Sequence, residues 1–247
     1  MLHADDAGTV RRRFGVAEDQ IRRDHLVAHV LAALQECGVG ELVFFGGTAL
    51  AYTHLLDGRV SEDVDLLADP RPAVAGWLDQ HLPRLLRREF PGAQWLPAPS
   101  AVRSPGSTLL VAATGESVRV QVLDWDHDWR RYPVERRVLD PRYRDVASTT
   151  LQVPTLRSFA VMKASAYGDR QAARDLVDLA ALIRLGAVDA ETSRLARAVL
   201  GRRIRGHDFR RAPRDWAASL AHQMASVPDQ EECLALVARA WDAAATG

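Results

Sequence analysis

Asp63 and Asp65 stand one residue apart in the stretch FFGGTALAYTHLLDGRVSEDVDLL, residues 44–67. If these residues form a strand, its alternation projects both carboxylates from one face, about 7 Å apart, while Val64 and Leu66 face the other way. Two acids so placed repel each other, and a divalent cation relieves that repulsion. Mg²⁺ suits the position because it takes one or two carboxylates together with phosphate oxygens and water. Just upstream, Gly46, Gly47 and Thr48 follow the β-prone run Glu41–Phe45 and lead into an apolar helical pattern. Glycine lets the backbone approach a ligand closely, and the first-turn N–H groups of the helix present partial positive charge to phosphate. A D-x-D alone also fits solvent-facing acids on an edge strand, and a glycine pair alone fits a tight strand–helix turn. Their order in one stretch suits a metal-dependent reaction on a nucleoside triphosphate.

A second group lies far along the chain. Lys163 is the single lysine, against a background in which arginine supplies the remaining basic charge. Asp175 and Asp178 are three residues apart and share a helix face. Lys163 precedes a break at Gly168–Asp169, so its helix and the next can form a corner on which these side chains converge. The spacing fits a site, and it fits equally a structural Lys–Asp ion pair between adjacent helices. Residues 202–214, RRIRGHDFRRAPR, carry Arg202, Arg203, Arg205, Arg210 and Arg211, with His207, Phe209 and Trp216 among or beside them. Arginines neutralise phosphates and aromatic rings can stack on unpaired bases, which suits an RNA end. A solvated junction between helices has the same composition. His127 in DWDHDW reads as a surface residue.

These groups need elements to position them. Glu18–Cys37 has helical apolar spacing and stops at Gly38 and Gly40. Glu41–Phe45 reads as a strand, Thr48–Leu56 as a helix, Val60–Leu67 as a second strand and Arg71–Arg88 as a helix. Residues 91–106 read as a loop. Ser107–Ala113 and Ser117–Leu123 form a hairpin pattern around Thr114–Gly115. Residues 1–16 are polar and expected to be loosely packed, and 124–150 lack a clear period. From Leu156 onward the pattern is helical. The expectation is an α+β (α/β) chain, with an N-terminal lobe built on a small mixed sheet over residues 1–150 and a helical lobe over 151–247.

Composition bounds the reading. With 47% hydrophobic residues the chain can bury a core, and 32 basic against 32 acidic residues give no global charge that selects a partner. Cys37 and Cys233 form no C-x-x-C pattern, so reduced thiols are expected. No apolar run approaches the ~18 residues of a membrane span, and the N-terminus has no signal-like apolar core. A soluble, cytoplasmic protein without a membrane partner is expected.

The order of motifs resembles the nucleotidyltransferase fold of the polymerase-beta type. More narrowly, FFGGTAL…RVSEDVDLL and KASAYGDRQAARDLVDLAAL (163–182) resemble the AbiEii-type nucleotidyltransferase toxin family, the group that includes the MenT toxins. The likeness is firm over about 40–68, good over 155–183, loose between them, and slight beyond 190. It implies that Gly46, Gly47 and Thr48 bind phosphate, with Arg59 and Ser61 orienting the carboxylates or contacting phosphate. It implies that Asp63 and Asp65 hold Mg²⁺ or Mn²⁺, that Lys163 touches the triphosphate, and that Asp175 and Asp178 complete the site. The helical lobe is expected to contact the acceptor. The family further implies transfer of NMP from an NTP to RNA, at the tRNA 3′ end, growth inhibition, and a cognate antitoxin. Alternatives are a small-molecule (antibiotic) or protein nucleotidyltransferase, or a non-catalytic nucleotide-binding module. Related sites commonly add a third acid on a later strand. In VRVQVLD that position falls either to Gln121 or to Asp124, and Asp124 is a candidate third metal ligand only if the strand register brings it over the pair.

Overall fold

The computed structural model describes residues 1–246, and its contacts divide the chain into two units. The first comprises residues 1–130 and 135–153, the second 131–134 and 154 onward.

In the first unit, α1 (Ala4–Phe14) and α2 (Glu18–Leu34) precede β1 (Glu41–Phe45), α3 (Gly46–Thr53), β2 (Asp63–Asp69) and α4 (Arg71–Leu86). Then come β3 (Gln94–Leu96), β4 (Ser107–Val111) and β5 (Ser117–Asp124), and finally the paired strands β6 (Val134–Val138) and β7 (Thr150–Pro154), where the chain passes between the units. The main sheet has the order β1-β2-β5-β4-β3. Only β2 and β5 run parallel; the other neighbours are antiparallel. The parallel pair needs a long crossover, and α4 supplies much of it. Val64 and Leu66 of β2, Val118, Val120 and Val122 of β5, and Val74, Leu78 and Leu82 of α4 are buried together on the side where α2 and α4 pack. The opposite side of β2 carries Asp63 and Asp65. Apolar alternation therefore determines which face is left for chemistry.

Three segments differ from their sequence reading; residues 91–106, read as a loop, hold the short strand β3. Residues 4–14 are not loose but form α1, because Ala7, Val10 and Phe14 recur at helical spacing and are buried; His3 caps the start and Gly15 takes a left-handed cap. The aperiodic stretch 124–150 holds the strand β6 and, around Arg142 and Tyr143, a buried polar anchor. Arg142 Nη1 donates to Asp24 Oδ1 (2.7 Å) and Nη2 to the carbonyl of Ala51 (2.7 Å). Tyr143 donates to Asp24 Oδ2 (2.7 Å), and Tyr52 to Asp24 Oδ1 (3.0 Å). The guanidinium lies over the rings of Tyr52 and Phe14, at 3.8 and 4.8 Å from their centroids. Strand periodicity cannot reveal such a knot, because Arg142 lies 118 residues from Asp24 and 91 from Ala51.

The second unit is helical: α5 (Leu156–Arg170), α6 (Ala173–Arg184), α7 (Ala190–Leu200), the short α8 (Trp216–Leu220) and α9 (Gln230–Thr246). Asp189 caps α7 by accepting from Thr192 N, and Gly201 ends it in the left-handed region. Cys233, Val237, Trp241 and Ala244 give α9 one buried stripe, which packs against α6 and α7. A small mixed sheet followed by helices is the α+β arrangement the sequence pattern predicts. Both cysteines are free. Among the described residues no helix is long and apolar enough to cross a membrane.

Removing one partner of a fully buried ion pair leaves an uncompensated charge. Arg142→Ala is expected to lower the unfolding free energy of the first unit by about 3–5 kcal/mol, measured by urea denaturation. A loss no larger than that of an exposed pair would show that the knot is not the anchor described.

Candidate functional site

Helix α3 begins directly on the glycine pair. The sequence pattern starts the helix at Thr48, but Gly46 and Gly47 already form its first turn, and no side chain caps it. Its leading N–H groups are therefore free of a capping oxygen, which is the condition for an anion-binding helix start. Gly46 has φ +82°, and a Cβ there would lie 2.2 Å from Asp65 Oδ2. Asp65 thus leans over the turn so closely that only glycine fits beneath it. A Cβ on Gly47 would meet Arg59 Nη2 at 2.8 Å and Ser61 Oγ at 3.0 Å. Arg59 is buried. The hydroxyl of Thr48 donates to the carbonyl of Asp63, which ties the helix start to β2.

Strand β2 begins at Asp63 and not at Val60, because its ladder with β5 starts there, Asp63 pairing with Arg119, and the ladder with β1 begins at Asp65, opposite Phe45. Arg59 to Ser61 remain outside the strand and fold against Gly47. The parallel register sets Gln121 beside Asp65 and Asp124 beside Ala68. Paired residues project to the same side. Asp124 therefore belongs to the alternate face, at the far end of the strand, and does not join Asp63 and Asp65. The position beside the pair is an amide, whose Nε2 donates to the carbonyl of Pro105.

Arg119 went unremarked in the sequence. Its Nε donates to Asp63 Oδ1 (3.1 Å) and its Nη2 donates to Oδ2, a two-pronged pairing. The hydrogen bond to Asp63 raises the pKa of Arg119 further above its usual value. The only sequence signal was an arginine on the polar side of the alternating strand SVRVQVLD, two residues before Gln121. On the other flank, the Phe45 and Trp129 rings pack 5.2 Å apart.

In the second unit the sequence-selected residues also meet. Lys163 Nζ lies 3.1 Å from Asp175 Oδ1 and 2.7 Å from Asp178 Oδ2, and all three are buried. Arg170 donates to both oxygens of Asp175, at 2.7 and 2.8 Å. Burial pushes the Asp175 carboxyl up, but the Arg170 hydrogen bonds and the Lys163 charge outweigh it and hold the pKa below the ordinary 3.8. The ion-pair arrangement between adjacent helices is present, with Arg170 as a member the sequence reading omitted.

Arg202, Arg203, Arg205, Arg210 and Arg211 are exposed. The aromatics between them are not available for stacking on bases in the way the sequence suggests. Phe209 is buried against Tyr167 and Trp241, and Trp216 donates its indole N–H to Pro228 and packs on Val177 and Leu220. They are ring anchors that hold an arginine-bearing loop, because an apolar ring gains more from burial than from exposure.

A family model described as nucleotidyl transferase AbiEii toxin, type IV TA system, matches residues 31–246. The sequence matches no curated protein closely enough to count as a relative. Among solved structures, the chain is similar to MenT4, a nucleotidyltransferase toxin from Mycobacterium tuberculosis H37Rv. That likeness has 22% identity and a TM-score of 0.63 over 95% of this chain and 88% of that one. It is similar also to JHP933 from Helicobacter pylori, with 14% identity and a TM-score of 0.58 over 94% of each chain. A putative nucleotidyltransferase from H. pylori gives 14% identity and 0.56, over 94% of this chain and 96% of that one.

Two outcomes test this geometry. Gly46→Ala is expected to cost about 1–2 kcal/mol for the left-handed backbone alone, more with the Asp65 clash, as read by chemical denaturation; an unchanged stability would contradict the close approach. For Asp175 the native pKa is depressed, so its contribution is complete above the unfolded value and is lost as pH falls through the native one. Asp175→Asn should therefore flatten the stability profile below about pH 4; a limb as steep as that of the parent chain would contradict this.

Proposed function

Because the chain belongs to the AbiEii nucleotidyl transferase toxin family of type IV toxin–antitoxin systems, and is thus a nucleotidyltransferase, we propose that it transfers a nucleoside monophosphate from an NTP to an RNA hydroxyl, releasing pyrophosphate. The acceptor in this reading is the 3′ end of tRNA, and the outcome is arrested translation and growth in the cytoplasm. The family also implies a cognate antitoxin. The observation that carries the reading is the uncapped start of α3 lying directly beneath the Asp65 carboxylate. A phosphate-binding turn and a carboxylate pair then share one surface.

The donor set suits a divalent cation. Two carboxylates project from one strand face, and Asp63 already accepts a guanidinium as counter-charge. Asp63 and Asp65 would hold Mg²⁺ or Mn²⁺, which when bound supplies charge neutralisation on the triphosphate. The N–H groups of Gly46, Gly47 and Thr48 bind the distal phosphate oxygens. Arg59 and Ser61, pressed against Gly47, fix the shape of that turn. Gln121 can orient an acceptor hydroxyl but cannot take its proton. Catalysis in this reading rests on alignment and electrostatic stabilisation more than on a dedicated base at that position. Within the second unit, Asp175 and Asp178 fix the Lys163 ammonium in one position. Arg202, Arg203, Arg205, Arg210 and Arg211 offer positive charge to an RNA backbone.

The test is incubation with total tRNA and each α-labelled NTP in the presence of Mg²⁺. Label is expected on RNA with at least one nucleotide, and Asp65→Ala is expected to reduce it by at least ~10²–10³-fold. No transfer to RNA from any of the four would overturn the RNA reading; label on protein or a small molecule instead would redirect it to that acceptor.

A further inference from the structure

His25 and His29 are four residues apart on α2, in the run HLVAH, so both imidazoles project from one helix face. They meet the Asp145 carboxylate, which reaches them from the segment between β6 and β7. His25 Nε2 lies 3.1 Å from each Asp145 oxygen. His29 Nε2 lies 3.2 Å from His25 Nε2 and 3.6 Å from Asp145 Oδ2. We propose that His25, His29 and Asp145 form a zinc-type metal site that ties α2 to the segment carrying Arg142 and Tyr143, separate from the carboxylate pair of β2.

Two features of the cluster carry this. The first is size. Ligand atoms about 2.0–2.1 Å from a tetrahedral zinc are about 3.3–3.4 Å from one another, and the three edges here are 3.1, 3.2 and 3.6 Å. The three atoms already outline one face of a zinc tetrahedron.

The second is orientation. Both imidazoles present the same nitrogen, Nε2, to a common point. Neighbouring rings hold them there: His25 packs on Tyr143 and Phe90, with centroids 4.9 and 5.5 Å away, and His29 packs on Phe90 at 5.5 Å. Two Nε2 atoms facing each other and one carboxylate are poorly served by hydrogen bonds alone, since one proton cannot satisfy all three edges. A cation between them does.

The Met1 amine sits 2.8 Å from Asp145 Oδ2, so a metal at the cluster takes the place of that contact. Two imidazoles and one carboxylate are a borderline donor set, suited to zinc over Mg²⁺.

The experiment uses the full chain carrying Asp63→Ala and Asp65→Ala, so that the carboxylate pair binds nothing, after removal of metal by a chelator. Titration with zinc chloride by calorimetry is expected to show one saturable site per chain and a rise in melting temperature. Cobalt(II) is expected to give the intense visible bands of a tetrahedral ion. Adding His29→Gln or Asp145→Asn should weaken zinc binding by ~10²-fold or more, beyond the loss of an outer partner, and abolish the bands. No saturable zinc binding to the parent chain, or binding that both substitutions leave intact, overturns the site.

Discussion

The buried pairing of Asp24 with Arg142 is the contact on which the first unit depends. Both side chains are fully enclosed, and two charges taken out of water persist only when their remaining hydrogen bonds are filled. Here they are filled by Tyr52, Tyr143 and the Ala51 carbonyl. The consequence reaches well beyond one ion pair. Asp24 belongs to α2, Ala51 and Tyr52 to α3, Phe14 to α1, and Arg142 to the segment between β6 and β7. One knot therefore fixes the C-terminal end of α3, while Thr48 fixes its start on Asp63. The glycine turn is held at both ends of its helix.

That rigidity explains how the turn and the carboxylates come so close. Gly46 takes a left-handed backbone under Asp65, and the pair shares space that a methyl group would fill. Arg119 answers the charge of Asp63 from the adjacent strand. Such a pairing keeps two like charges tolerable on one strand face, and it marks Asp63 as a carboxylate whose partner is a cation. The polar face of β2 is thus built by backbone geometry first and by charge second.

The second unit uses the same principle differently. Lys163 is enclosed with two aspartates, and Arg170 supplies a second positive charge to Asp175. The charges nearly cancel within the cluster, so the lysine is held in one position. The arginine-rich loop after α7 contrasts with this: its cations point outward and its aromatic rings point in. Charge is presented to solvent while Phe209 and Trp216 secure the loop from beneath.

The glycine turn, the paired aspartates and the helix acids beside the single lysine were all legible in the sequence, because each rests on short-range spacing. Strand alternation places Asp63 with Asp65, and helical spacing places Asp175 with Asp178, whatever surrounds them. The family resemblance followed from those same local motifs. Other features required the tertiary structure because their partners are remote along the chain. Register between β2 and β5 decided that Gln121, and not Asp124, stands by Asp65, since a shift of one residue reverses every side chain. The same register brought Arg119 to Asp63. Helix α1 carries its own local signal, Ala7, Val10 and Phe14 at helical spacing, which the polar residues around it masked, whereas the Arg142 knot escaped the sequence reading because Arg142 meets Asp24 and Ala51 across 118 and 91 residues, which leaves no period in the local chain. His25, His29 and Asp145 divide along the same line: the helix spacing of the two histidines is written in the sequence, but the carboxylate that meets them arrives only through the fold.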